Sequence, residues 1–140
     1  MRLFLDANVL FTAAYTAGRA RALFQVAEGG GCEILSSAHA ASEARRNVAA
    51  KAPEGASRLL EKLMAEVEIV PEADPRLVRW AAEQGLPAND APIVASAVAA
   101  RADALVTGDR RHFGRLCGTS PGGVEIVTPA AALDRVIAGS

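Results

Sequence analysis

Two short apolar runs in this chain lead into carboxylates: Leu3-Phe4-Leu5 runs into Asp6, and Ala104-Leu105-Val106-Thr107-Gly108 into Asp109. A strand of such composition enters a core, so an ionised aspartate at its end is solvated, caps a helix, or binds something. In open parallel α/β sheets, ligands bind at the carboxyl ends of the strands, where the strand order reverses. Both aspartates belong at that edge. Asp90 opens a helical stretch leading into the second of these strands, and Glu43 lies about two turns into the helix after the strand at Cys32–Leu35. Both can reach the same edge. Carboxylates gathered within a few ångströms repel, and their pKa values rise unless a cation neutralises the set. Hard oxygen donors suit Mg²⁺ or Mn²⁺, and the scarcity of His and Cys argues against zinc. Such a cation lowers the pKa of a bound water and neutralises charge building on a phosphate under in-line attack.

Taken singly, each acid has a plainer role. Asp6 can cap a helix starting at Ala7, Asp90 can do the same for the helix after it, and Glu43 can pair with Arg46 or Asn47 along its own helix. Asp109 can end its strand in a turn with Gly108. The set carries the argument, because four independent caps need not converge on one sheet edge.

The elements that must position these acids alternate between short β-type runs and alanine-rich helical runs, the pattern of parallel strands with crossover helices. Strands are expected at Arg2–Leu5, Cys32–Leu35, Val67–Val70, Ala104 to the exit at Asp109, and Val124–Val127. Helices are expected at about Ala7–Tyr15, Arg19–Glu28, Ala38–Lys51, Glu54–Glu66, Pro75 to Gly85, the stretch after Asp90, and Pro129 to Ile137. Ser36 or Ser37, Asp74, Asn89 or Asp90, and Thr128 supply the caps. The expected fold is an α/β/α sandwich around a central, mostly parallel five-stranded sheet, with residues 1–140 forming a single domain. Hydrophobic residues make up 51% and aromatics only 4%, so the helices pack through small side chains. Trp80 reads as a core or interface anchor, and Cys117–Gly123 as a loop.

With 15 Lys+Arg against 16 Asp+Glu the net charge is −1, so no global basic field advertises a nucleic-acid partner, and any such partner must be held locally. Arg45 and Arg46 share the Glu43 helix, Arg110, Arg111 and His112 follow Asp109, and Arg19 and Arg21 lie near the exit of the first strand. Contacts of this kind position a phosphate backbone without reading its sequence; Lys51 and Arg58 read as a solvated face. Cys32 and Cys117 form no disulfide framework and suit a reducing cytoplasm. The first apolar run is too short for a signal peptide, and no stretch approaches the roughly 18 apolar residues that cross a membrane.

The stretches LDANVL, SEARRN, LPANDAPIVASAVAARADALVTGD and VEIVTPAAAL resemble the PIN-domain family, in its order and at its intervals, over nearly the whole chain. The resemblance implies a metal-dependent ribonuclease, an endonuclease hydrolysing RNA phosphodiester bonds, and, at this size, a VapC-like toxin of a type II toxin-antitoxin pair. By it, Asp6, Glu43, Asp90 and Asp109 form the acidic quartet that holds Mg²⁺ or Mn²⁺, with Asn8 and Thr107 orienting water or ligands. It further implies an RNA substrate, a small antitoxin that covers the acidic pocket, and a homodimer. Arg45, Arg46, Arg110 and Arg111 are the candidate RNA contacts. The chain departs from many relatives at Asn89, where they carry lysine, and in the alanines and His39 ahead of Glu43. Those departures motivate an alternative, a catalytically silent PIN-like module for RNA binding or assembly. A phosphoacceptor aspartate at Asp6 is a third reading; it asks for a second acid where Asn8 stands.

Overall fold

In the computed structural model, which describes residues 1–86, 88–108, 113 and 116–139, the strands β1 (Arg2–Leu5), β2 (Glu33–Ser37), β3 (Val67–Val70), β4 (Ala104–Val106) and β5 (Glu125–Val127) form one sheet. Its order is β3-β2-β1-β4-β5, and every pairing is parallel. β1 is therefore central. The order reverses between β1 and β4, where Leu5 stands opposite Val106. Leu3, Phe4, Leu5, Leu35, Leu105, Val106 and Ile126 are all closed to solvent, as expected of strands covered on both faces. The edge strand β3 is less covered and exposes Glu68 and Ile69.

Seven α-helices are described: α1 (Ala7–Tyr15), α2 (Arg19–Glu28), α3 (Ala38–Lys51), α4 (Ala56–Met64), α5 (Pro75–Ala82), α6 (Ala91–Ala99) and α7 (Pro129–Ala138). They pack as two groups, α1 to α4 with α7, and α5 with α6. Right-handed crossovers put the two groups on opposite faces of the sheet. Alanine makes the close packing possible: Ala13, Ala14, Ala40, Ala41, Ala44, Ala95 and Ala97 are buried on their helices. The expected α/β/α sandwich with a five-stranded parallel sheet is what the structure shows.

Local signals set most boundaries. Ser37 accepts a hydrogen bond from Ala40 N–H (3.2 Å) and starts α3, Asp74 accepts from Arg76 N–H (2.8 Å) with Pro75 behind it, and Thr128 accepts from Ala131 N–H (3.2 Å). Several expected bounds differ: β4 ends at Val106, β5 begins at Glu125 and α5 ends at Ala82, and two further elements differ for identifiable reasons. β2 extends through Ser37 because Ser36 and Ser37 pair with Ile69 and Val70, and Ser36 is no cap: its hydroxyl donates to Leu5 C=O at 2.9 Å. α4 begins at Ala56 rather than Glu54, after Gly55 turns the chain with φ +93°.

The Cys117–Gly123 stretch is more than a connection. Pro121–Gly123 makes a short 3₁₀ turn whose Gly122, at φ +60°, lies against α5 and α6. A Cβ there meets Val98 Cγ2 at 2.9 Å and Trp80 Cη2 at 3.1 Å, whereas one on Gly123, φ +86°, meets nothing within 4 Å. Gly123→Ala is expected to cost only backbone strain, about 1 kcal/mol, and Gly122→Ala about 1–3 kcal/mol beyond it. Thermal melts of the two variants side by side check this; equal melting temperatures contradict the close approach.

No helix among the described residues is long and apolar enough to cross a membrane.

Candidate active site

The carboxyl edge of the sheet brings three of the four expected acids together. Asp6 leaves β1 at the switch point, Glu43 comes from α3 in one outer layer, and Asp90 stands at the head of α6 in the other. With Ala7, Asn8, Asn47 and Asn89 they line a cleft of about 180 Å³. Each layer of the sandwich thus contributes one acid above the central strand. Asp109, with Arg110 and Arg111, lies outside the described residues.

Asp6 is buried, 5% exposed, and held from several sides. Its Oδ1 accepts from Ala7 N–H at 2.7 Å; its Oδ2 accepts from the Thr107 hydroxyl at 2.9 Å and from Asn8 Nδ2 at 3.1 Å. The capping role and the site role are therefore the same geometry. The hydroxyl of Thr107, itself buried, comes from the end of β4, and Asn8 is fixed in turn because Gly108 N–H donates to its Oδ1 at 3.0 Å. Burial pushes the Asp6 carboxyl up to about 6, aided by repulsion from Asp90 and Glu43 and opposed by the hydrogen bonds from Thr107 and Ala7.

Asp90 occupies the N-cap position of α6, but its backbone is already helical (φ −95°, ψ −23°) and its side chain makes no cap bond. The head of α6 thus holds a carboxylate that lines the cleft instead of closing the helix. Glu43 has Asn47 one turn further along α3, so both face the cleft as an i, i+4 pair. Asn47, read from sequence only as a helix partner of Glu43, is a lining residue not counted among the candidate site residues; the i+4 spacing from Glu43 is the available signal. Asn89, where the family resemblance leads one to expect lysine, lines the cleft with a neutral amide.

The candidate cations separate into different roles. Arg45 turns to α4 and binds Glu61 through two bonds, Nε to Oε2 at 2.9 Å and Nη2 to Oε1 at 3.0 Å. That pairing raises the Arg45 pKa and lowers that of Glu61. Arg46 is exposed and, three residues from Glu43, flanks the cleft side of α3. Arg21 is turned inward, its Nε donating to Ala13 C=O at 2.8 Å at the end of α1. His39 and Lys51 are exposed.

The donor set of the cleft consists of carboxylate and amide oxygens, which fits a hard divalent cation. A buried carboxyl that resists ionisation beside two further acids is the electrostatic counterpart of that fit. Among the described residues no three His, Cys, Asp or Glu side chains stand close enough to form a ready-made metal centre. The quartet inferred from sequence includes Asp109, which is outside them.

Comparison with known proteins agrees with this architecture. Residues 2–111 match the family model described as PIN domain. Among solved structures, the chain is similar to PAE2754 from Pyrobaculum aerophilum, with TM-score 0.69, 22% identity, and 99% of this chain and 96% of that one covered. It is also similar to VapBC2 from Rickettsia felis bound to a DNA fragment from their promoter, with TM-score 0.67, 21% identity and coverage of 91% and 98%. VapBC-1 from nontypeable Haemophilus influenzae gives TM-score 0.61 and 17% identity over 93% of this chain and 99% of that one. No match was found among curated proteins.

Proposed function

This chain belongs to the PIN-domain family, and from that membership we propose that it is a nuclease, specifically a metal-dependent endoribonuclease acting as the toxin of a type II toxin-antitoxin pair. The observation that carries the reading is the meeting of Asp6, Glu43 and Asp90 in one cleft at the switch point of a parallel sheet. Similarity to VapBC assemblies supports the toxin setting, and with it a cognate antitoxin; a homodimer and a cytoplasmic site of action are part of the same proposal.

Asp6, Glu43, Asp90 and Asp109 would hold Mg²⁺ or Mn²⁺. When bound, that ion lowers the pKa of a water and offsets charge developing on the phosphate. The chain's own residues prepare the site. Thr107 and Asn8 fix one Asp6 oxygen and Ala7 N–H the other, so the carboxylate cannot rotate. Glu43 and Asp90 approach from opposite layers, leaving the cleft open between them for a backbone phosphate. Arg46, beside Glu43, and Arg110 and Arg111, after Asp109, supply positive charge for that backbone; Arg45 contributes only if it leaves Glu61.

The test is cleavage of a mixed cellular RNA pool by purified protein with Mg²⁺, Mn²⁺ or EDTA, beside Glu43→Gln and Asp90→Asn. Cuts are expected with either metal and none with EDTA. Each variant is expected to lose about 10²–10⁴ in rate, the equivalent of several kcal/mol of charge stabilisation. Metal-independent cutting, or variants as active as the parent, overturns the assignment of these carboxylates to a metal; a parent that cuts nothing returns the chain to the binding-module reading.

A further inference from the structure

A second concavity of about 320 Å³ lies beside the carboxylate cleft, lined among the described residues by Thr12, Arg19, Ala20, Gly108, Thr128, Pro129 and Ala130. It shares the carboxyl edge of the sheet, since Gly108 follows β4 and Thr128 follows β5. Two links join it to the cleft. Gly108, in its wall, donates its N–H to Asn8, which in turn donates to Asp6. Thr12 lies one turn beyond Asn8 on α1, a rise of about 6 Å along one helix face.

The chemistry of the wall is that of a small-ligand site: apolar surface from Ala20, Pro129 and Ala130 with a few polar groups among it. Its volume falls at the lower end of such sites, roughly 300–1,000 Å³. Arg19 is exposed and has no hydrogen bond or ion pair among the described residues, in contrast to Arg21, two positions on, which is spent on Ala13 C=O. A guanidinium with no protein partner among those residues, beside an apolar floor, offers a stacking plane for a planar ring. The Thr12 and Thr128 hydroxyls offer edges for hydrogen bonds; Thr128 accepts from Ala131 N–H and retains its own proton to donate.

We propose that this concavity receives one unstacked base of a single-stranded RNA whose backbone crosses the carboxylate cleft, with the Arg19 guanidinium stacked on the base. The inference rests on the reading of the cleft as an RNA-cleaving site. It also supplies what the cleft lacks: carboxylates select a phosphodiester but not a position along the strand, and splayed bases are where proteins read RNA.

The experiment uses a short RNA carrying one cleavage site and a series in which each flanking nucleotide in turn is abasic. Rates are measured with Mn²⁺, and binding is measured by fluorescence anisotropy in EDTA, for the parent, Thr12→Phe and Arg19→Ala. Thr12 and Arg19 are exposed, and melting curves report that both variants are folded. One abasic position is expected to lower kcat/KM and affinity of the parent about tenfold or more, the scale of one stacked base. Both variants are expected to lose a similar factor on intact RNA and to lose nothing further at that abasic position. Uniform tolerance of abasic positions, or an abasic penalty that persists in both variants, overturns the proposal. If the parent binds RNA with the base-dependent pattern but never cuts, the base site stands and the ribonuclease reading falls. If it neither cuts nor binds, both fall.

Discussion

Asp6→Asn is expected to lower RNA cleavage by about 10³ or more while raising the melting temperature of the metal-free protein at neutral pH. The two effects share one cause. The carboxyl is raised from 3.8 to about 6 in the folded chain by burial and by its acidic neighbours. Unfolded, it ionises near its ordinary value, so between about pH 4 and pH 6 the unfolded state gives up a proton that the folded state keeps. Stability therefore falls as pH rises through that window, and the full cost, on the order of 3 kcal/mol, is in place above it. Asparagine removes the cost but sets its own amide against Asn8 Nδ2, which now donates to Asp6. A net gain of about 1–2 kcal/mol, or roughly 5 °C, remains. Melts of parent and variant in EDTA from about pH 4 to 8 check this: the variant is expected to melt below the parent near pH 4, where only the amide mismatch remains, to cross it at about pH 5, and to stand above it towards pH 7. Adding Mn²⁺ is expected to stabilise the parent and leave the variant unmoved. Parallel pH profiles, or a variant less stable than the parent above about pH 7, contradict this account of the site.

Phe4→Ala, two positions earlier on the same strand, is expected to act in the opposite direction. Phe4 is wholly buried in the central strand, paired with Leu35 on one side and Leu105 on the other. With aromatics at 4% of the chain, few other large side chains can fill the space it leaves. Removing it is expected to cost about 3–5 kcal/mol, a large part of the roughly 5–15 kcal/mol that holds such a domain together. Urea titration measures the loss, and Phe4→Leu is expected to restore more than half of it. A cost under about 1 kcal/mol would place the core elsewhere than under β1.

Asp6 and Phe4 also differ in how far their roles can be read from the residues around them. Alternating strands and helices, the Asp74-Pro75 and Thr128-Pro129 starts and the cap at Ser37 are local signals, and α1, α2, α3 and β3 fall where the sequence places them. The presence of Asp6 at the carboxyl edge follows from topology, since strand ends share an edge whatever the side chains do, and Glu43 and Asp90 join it from helices that follow or precede strands there. What neighbouring residues do not disclose depends on distant ones. Arg19 and Arg21 read alike, yet one lines a concavity and the other closes the end of α1. Arg45 faces Glu61 from a helix that local patterning cannot orient. Asp90 looks like a cap from its position and is not one. The Gly122 turn gains its meaning only from Trp80 and Val98 across the fold.

The strand order has a consequence in time as well as in space. Asp6 and Thr107 stand 101 residues apart, and β4 slots in beside a strand that leaves the ribosome long before it. At about 5–20 residues per second, roughly 5 to 20 s separate the synthesis of the two partners. During that interval the emerging chain carries Asp6 and Glu43 but has no edge on which to assemble them, because Thr107, Gly108 and the reversal of strand order do not yet exist. Such long-range closure is the slow part of folding a parallel sheet. The cleft is thus complete only on the arrival of β4, and under the proposed function a nascent chain that lacks it is expected to leave RNA uncut.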